Sequence, residues 1–272
     1  MSRHPLPRSL PIPIPILAAF LLAFCGSASA HETWLVIQTT GPGKGVAELG
    51  TGNRFPKSDS AVAVDRIEKG LIRIGARDMG SFAEPRADGK VTRLAATWSG
   101  TGVAAAALQL FPKSITLDAA KFEAYLKEIG ADAALALRKA KGETKRPGRE
   151  LYQKLPKCLV KLGDSPVKVA PPLGLPLEFL LDDDAFDLKP GRPVTLTLFR
   201  NRTGVVAQLV RAFDAKGKVI FSGKTNSNGQ VEIPLKQPGR ILIAATAIER
   251  LDGNKDAEWR SFWASLTLEI RK

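Results

Sequence analysis

Trp259-Arg260-Ser261-Phe262-Trp263-Ala264-Ser265-Leu266-Thr267-Leu268-Glu269-Ile270, near the end of the chain, alternates with a period of two. Drawn as an extended strand, it puts Phe262, Ala264, Leu266, Leu268 and Ile270 on one face and Trp263, Ser265, Thr267 and Glu269 on the other. The first set reads as core. The second is a mixed face, on which Trp263 reads as a structural tryptophan at an interface between domains, because a large flat side chain buries area efficiently.

The same pattern recurs upstream. Val194 to Phe199, Gln208 to Phe213, Val219 to Phe221, Val231 to Leu235 and Arg240 to Ala244 are short apolar or alternating runs, with Lys216-Gly217 and Asn228-Gly229 marking turns among them. Such short strands over about 100 residues suggest an immunoglobulin-like or transthyretin-like sandwich. Before them, Pro166 to Pro176 is proline-rich and reads as a linker.

The first part of the chain is also strand-rich. Trp34 to Ile37, Ala47 to Leu49, Leu71 to Ile74, Val91 to Leu94 and Val103 to Phe111 are candidates, with Asp88-Gly89 as a hairpin turn. Between the two β-rich parts the period changes. Phe122, Tyr125, Leu126 and Ile129 fall at helical spacing after Asp118, Gly130 stops that helix, and Ala133 to Ala140 reads as a second. Arg149 to Leu155 reads as one or two more helical turns before Pro156. The expected class is therefore mainly β: two β-sandwich parts, immunoglobulin-like or transthyretin-like, with a small helical insertion whose apolar stripe packs on the sheets. The boundaries follow as 1–30, a leader; 31–112, an N-terminal β-rich domain; 113–165, the helical insertion and a connecting strand; and 166–272, a C-terminal immunoglobulin-like sandwich.

Residues 1–30 are read as a secretory signal peptide. Arg3 and Arg8 precede the apolar run Ile16 to Phe24, and Ala28-Ser29-Ala30 is an A-x-A ending, so cleavage is expected between Ala30 and His31. Phe24 argues against lipid attachment at Cys25, where a small residue is wanted. The expected location is the periplasm or the outside of the cell. No later run is long and apolar enough for a membrane helix, so an integral membrane protein is not expected. Cys158 is then the one cysteine remaining, and an internal disulfide is excluded. The whole chain carries a net charge of +13. That favours anionic envelope surfaces as neighbours, while scattered basic residues without interleaved aromatics argue against nucleic acid.

His31-Glu32-Thr33-Trp34-Leu35, Gly52-Asn53-Arg54-Phe55-Pro56, Lys121 to Leu126, Arg149-Glu150-Leu151-Tyr152 and Trp259 to Leu268 together resemble an exported bacterial family of unknown function. Its members are often labelled nickel uptake transporter family proteins, or periplasmic components of nickel and cobalt import. The resemblance covers nearly the whole chain after residue 30. It implies a mature N-terminal histidine, and a second histidine on the strand before the tryptophan motif. Here that strand is Ala244-Ala245-Thr246-Ala247-Ile248-Glu249, which has none.

The candidate chemistry is that of a terminal His31, whose imidazole and free α-amine are nitrogen donors able to close a chelate on nickel, cobalt or copper. Glu32 is the adjacent further donor, with Met79, Cys158, backbone amides and water behind it. A brace of two histidines within the chain is excluded, since removal of His4 leaves His31 alone. Asp182, Asp183, Asp184 and Asp187 match no calcium loop and read as an exposed acidic segment. Ser-His-Asp logic finds no nucleophile elbow, and no enzyme is expected. The expected function is a periplasmic binding or accessory protein that handles a transition metal through His31, with a membrane metal importer as partner. The alternative is a metal-free envelope β-sandwich protein that binds carbohydrate or another protein.

Overall fold

The computed structural model describes residues 31–163, 165, 170, 172–182 and 188–271. The expected leader and its cleavage site fall outside them on the Ala30 side. The strands are β1 (Glu32–Gly41), β2 (Lys44–Gly52), β3 (Ser60–Ala61), β4 (Ile67–Ile74), β5 (Arg77–Asp88), β6 (Val91–Trp98), β7 (Gly102–Leu110), β8 (Lys113–Leu117) and β9 (Gly148–Leu162). After these come β10 (Glu178–Leu181), β11 (Pro193–Arg200), β12 (Thr203–Gly204), β13 (Leu209–Asp214), β14 (Val219–Lys224), β15 (Gln230–Pro234), β16 (Gly239–Arg250) and β17 (Trp259–Ile270). The helices α1 (Ala119–Glu128) and α2 (Asp132–Ala140) lie between β8 and β9. The mainly β class with a two-helix insertion is borne out, and among the described residues no helix is long and apolar enough to cross a membrane.

One sheet runs β1-β2-β6-β5-β4-β7-β9-β17-β16-β13-β14, with β3 beside β2 and β8 beside β9; β10, β11, β12 and β15 form a second. The larger apolar core lies between β16, β17 and the second sheet, and takes Phe262, Ala264, Leu266, Leu268 and Ile270, the face that alternation assigns to it. A second core lies within the curled first half and holds Leu35, Leu49, Ile72, Leu94 and Leu108. Strand β7 separates the two. Val103, Ala105 and Ala107 belong to the larger core, while Ala104, Ala106 and Leu108 belong to the second. A strand buried on both faces reads as an unbroken apolar run, and its alanines let both layers approach closely.

Two local readings are corrected. Arg149 to Leu155 is the first half of β9 and makes no helical turn. Its good helix formers are overridden because β9 has partners on both edges: β8 along Gly148–Tyr152 and β7 along Lys157–Leu162 on one side, and β17 in parallel along Glu150–Cys158 on the other. Pro156 falls between the β8 and β7 stretches, so on that edge its missing N–H interrupts neither ladder. In its described part the proline-rich segment is no solvent-exposed linker either. Ala170, Leu173 and Leu175 are buried in the larger core, and Glu178 accepts the N–H groups of Leu173 and Gly174. Glu178 also receives the buried ammonium of Lys157 at 3.0 Å, which ties β10 to β9. Residues 166–169 and 171 lie outside the described set.

The helices pack as their stripe predicts. Phe122, Tyr125, Leu126 and Ile129 meet Trp259 and Trp263 in a third apolar cluster. Phe122 lies so close over Gly148 that a Cβ there would stand 2.3 Å from its ring. The basic loop after α2 is fastened from within by Arg138, 1% exposed, which bonds Glu123 and donates to the carbonyls of Glu143 and Arg146.

Candidate functional site

Strand β1 pairs with β2 along one edge only. Its other edge runs over the face of β9 and β17, where side chains take the place of a neighbouring strand. Lys154 Nζ donates to the His31 carbonyl at 2.6 Å, and Ser265 Oγ donates to the Thr33 carbonyl at 2.6 Å. These are alternate residues, whose backbone groups point away from β2. The start of β1 is thereby held on its second edge by two side chains.

His31 stands at the head of this column. Its Nε2 is 3.6 Å from Asp59 Oδ2, with both side chains about half exposed. The Asp59 carboxylate is held in turn: its backbone N–H bonds the Thr51 carbonyl, and Oδ2 accepts the Asn53 N–H at 2.9 Å. Only glycine fits at position 52, because a Cβ there would come within 2.7 Å of that carboxylate oxygen.

Glu32 turns the other way. Its Oε1 lies 3.3 Å from Arg211 Nη2, and Arg211 also reaches Glu128 at 3.7 Å. Burial raises the Glu32 carboxyl above its ordinary range, against the opposing charges of Lys154 and Arg211. The structure thus brings His31 to Asp59, and Glu32 to Arg211 and Lys154.

Beneath them lies a polar cluster. Lys154 Nζ sits 3.5 Å from the centroid of the Trp263 ring, and burial pulls its ammonium down to about 8, with Glu32 and Glu150 acting against that. Glu150 accepts the Tyr125 hydroxyl at 2.9 Å and the Ser261 hydroxyl, and Ser261 accepts Trp263 Nε1. Burial raises the Glu150 carboxyl, with Ser261 and Tyr125 opposing, and it raises the Tyr125 phenol well above its usual value. Tyr125 stacks on Trp263 at 5.8 Å and 5°. Trp263 is therefore structural, and the contact it makes joins the helical insertion to β17.

The five stretches that carry the family resemblance meet in this region. Trp34 and Phe55 pack edge to face at 5.5 Å, Phe122 packs against Trp259, and Tyr125, Glu150, Ser261 and Trp263 form the cluster just described. Asp59, Lys154 and Arg211 are the site residues that sequence reasoning does not single out. They come from three distant segments, and no spacing connects them to His31.

The other candidates fall away from His31. Cys158 is buried beneath β1 and its thiol is pushed up to about 12 by burial, which makes it a small apolar residue. Met79 packs against the second core. Asp182 accepts bonds from Thr197 and Gln230, while Asp183, Asp184 and Asp187 lie outside the described residues. Among the described residues, no three or more histidines, cysteines, aspartates or glutamates are grouped so as to hold a metal ion.

Residues 28–249 match the family described as Domain of unknown function (DUF4198). No curated protein matches the chain. Among solved structures, the chain is similar to the D0-D1 domain of Intimin, at 11% identity over 89% of this chain and 100% of that one, with a TM-score of 0.24. It is also similar to dimeric latent PorU from Porphyromonas gingivalis, at 12% identity over 89% of this chain and 20% of that one, TM-score 0.21. A third similarity is to the BSP domain of a biofilm associated protein, at 12% identity over 88% of this chain and 29% of that one, TM-score 0.20. Likeness at this level carries no functional argument.

Proposed function

The chain belongs to the family described as Domain of unknown function (DUF4198), and from that premise we propose that it is an exported periplasmic accessory protein that carries a nickel, cobalt or copper ion at His31 to a membrane importer. In this reading, cleavage after Ala30 leaves His31 as the first residue. Its α-amine and Nδ1 close a compact chelate ring on the ion, with nitrogen donors suited to these metals. The observation that carries the reading is the placement of Asp59 at Nε2, 3.6 Å away. At that distance the carboxylate acts through its charge rather than through a hydrogen bond; it favours the tautomer with the proton on Nε2 and leaves the Nδ1 lone pair for the metal. Lys154 adds to this by holding the His31 carbonyl, so the chelating residue sits on fixed backbone. Glu32, engaged by Arg211, serves as internal support in this scheme and leaves the remaining coordination positions to water or to the receiving protein.

The test is calorimetric titration of copper(II), nickel(II), cobalt(II) and zinc(II) into protein beginning at His31, beside protein with one alanine added before it. Binding is expected to be lost on extension, and Asp59→Asn is expected to weaken it by about tenfold. Binding that is absent, or indifferent to the extension, ends the metal reading and gives the lead to an envelope module that binds carbohydrate or protein.

A further inference from the structure

The column of side chains under β1 stops before the strand does. Gln38, Thr39 and Thr40 of β1 are exposed, and a cleft of about 430 Å³ opens between Val36–Thr39 on one side and the ends of β9, β16 and β17 on the other. Its volume lies in the range of small-molecule sites. Part of the wall opposite β1 is one face of three paired strands. Thr267 stands across from Cys158 on β9 and from Leu242 on β16, and Arg240 stands across from Glu269. Thr267, Glu269 and Arg240 all line the cleft, with Cys158 beside them.

Two groups on this wall have unused hydrogen-bonding capacity. Thr267 is 4% exposed, yet its Oγ1 has no hydrogen-bond partner among the described residues. Ser265, the preceding residue on that face, spends its hydroxyl on the Thr33 carbonyl; at Thr267 no carbonyl of β1 comes to meet the group. A buried hydroxyl left unpaired is costly, and in folded proteins such groups are few. Arg240 donates through Nε to Glu269 at 3.2 Å. Its two terminal nitrogens make no such bond among the described residues, and its charge is felt at the Cys158 thiol across the face.

We infer that this cleft binds a small organic carboxylate with an apolar tail. Thr267 turns its hydroxyl, closed off in the ligand-free protein, towards one carboxylate oxygen, and the group as a whole faces the terminal nitrogens of Arg240, whose planar fork suits it. The tail lies along Val36 and Val160, which line the same cleft. Lys161 and Arg271 line the cleft as well, so its charge alone does not choose between anions; the apolar part of the lining favours one that carries a tail over inorganic phosphate. This site is separate from His31 and does not depend on metal binding.

The test follows amide shifts of the isotope-labelled chain by NMR on adding hexanoate, hexan-1-ol or inorganic phosphate. Hexanoate is expected to move the amides of Gln38, Thr39 and Thr267 saturably, and hexan-1-ol and phosphate are not. Thr267→Val and Arg240→Gln are each expected to weaken hexanoate by about tenfold. The ligand-free Thr267→Val protein is expected to melt at the wild-type temperature or about 2–4 °C above it, since an unpaired hydroxyl has been removed, so weakened binding is not unfolding. Equal binding of hexan-1-ol, tighter binding of phosphate, or wild-type affinity in Thr267→Val overturns the inference.

Discussion

On one face of β17, Phe262, Ala264, Leu266, Leu268 and Ile270 all enter the larger core, and the one charged group set against them is the Arg200 guanidinium over the Phe262 ring, among the described residues. On the other face, each residue has a polar group with a separate task. Ser261 bonds Glu150, Trp263 carries the Lys154 ammonium on its ring, Ser265 holds the Thr33 carbonyl, and Thr267 lines the cleft. The first face acts by area and volume, so its residues are interchangeable in kind and its energy is large. The second acts by direction. Each of its contacts contributes little to stability, but together they set where β1 begins and therefore where His31 stands.

Substitutions on the two faces separate these effects. Leu266→Ala, at a fully buried position, is expected to lower stability by about 3 kcal/mol in urea unfolding while leaving the start of β1 protected. Ser265→Ala is expected to cost less, about 1–2 kcal/mol, because the Thr33 carbonyl is left buried without its donor. Its mark is faster hydrogen exchange at the first amides of β1. If Leu266→Ala loosens β1 as much as Ser265→Ala does, the two faces do not divide the work in this way.

The smallest effect is a slope. Lys154 titrates near 8 in the folded protein and near 10.5 when unfolded, so between those values the unfolded chain holds the extra proton. Stability from this group therefore rises with pH across that window, and its cost is fully present below it. Wild type is expected to gain on Lys154→Met from about pH 8 towards 10.5, with a slope of less than one proton, measured by urea unfolding at several pH values. A flat difference removes Lys154 from the buried cluster.

The face of β17 that acts by area was legible in the sequence, because burial imposes a period of two on five successive alternate residues, Phe262 to Ile270. The helical insertion was legible for the same reason, with its apolar stripe at helical spacing. Strand β5 was missed since most of it is exposed and polar, and it includes Pro85. The first half of β9 was misread because Arg149 to Leu155 is rich in helix formers, and only its three strand neighbours override them. Of the candidate site, His31 was found through cleavage logic. Asp59, Lys154 and Arg211 were not, because ion pairs and carbonyl contacts between distant segments leave no periodicity to read. Glu32 was expected beside His31 on grounds of adjacency, yet neighbouring residues in a strand point to opposite sides, and Arg211 claims it.

The alanine run of β7 is a partition one small side chain thick, with a packed compartment on each side. A methyl group added to either surface of it presses on a layer that has no room to yield. Pressure from one compartment therefore reaches the other, and the two halves of the molecule are bound to change together, as rooms that share a wall must be rebuilt together.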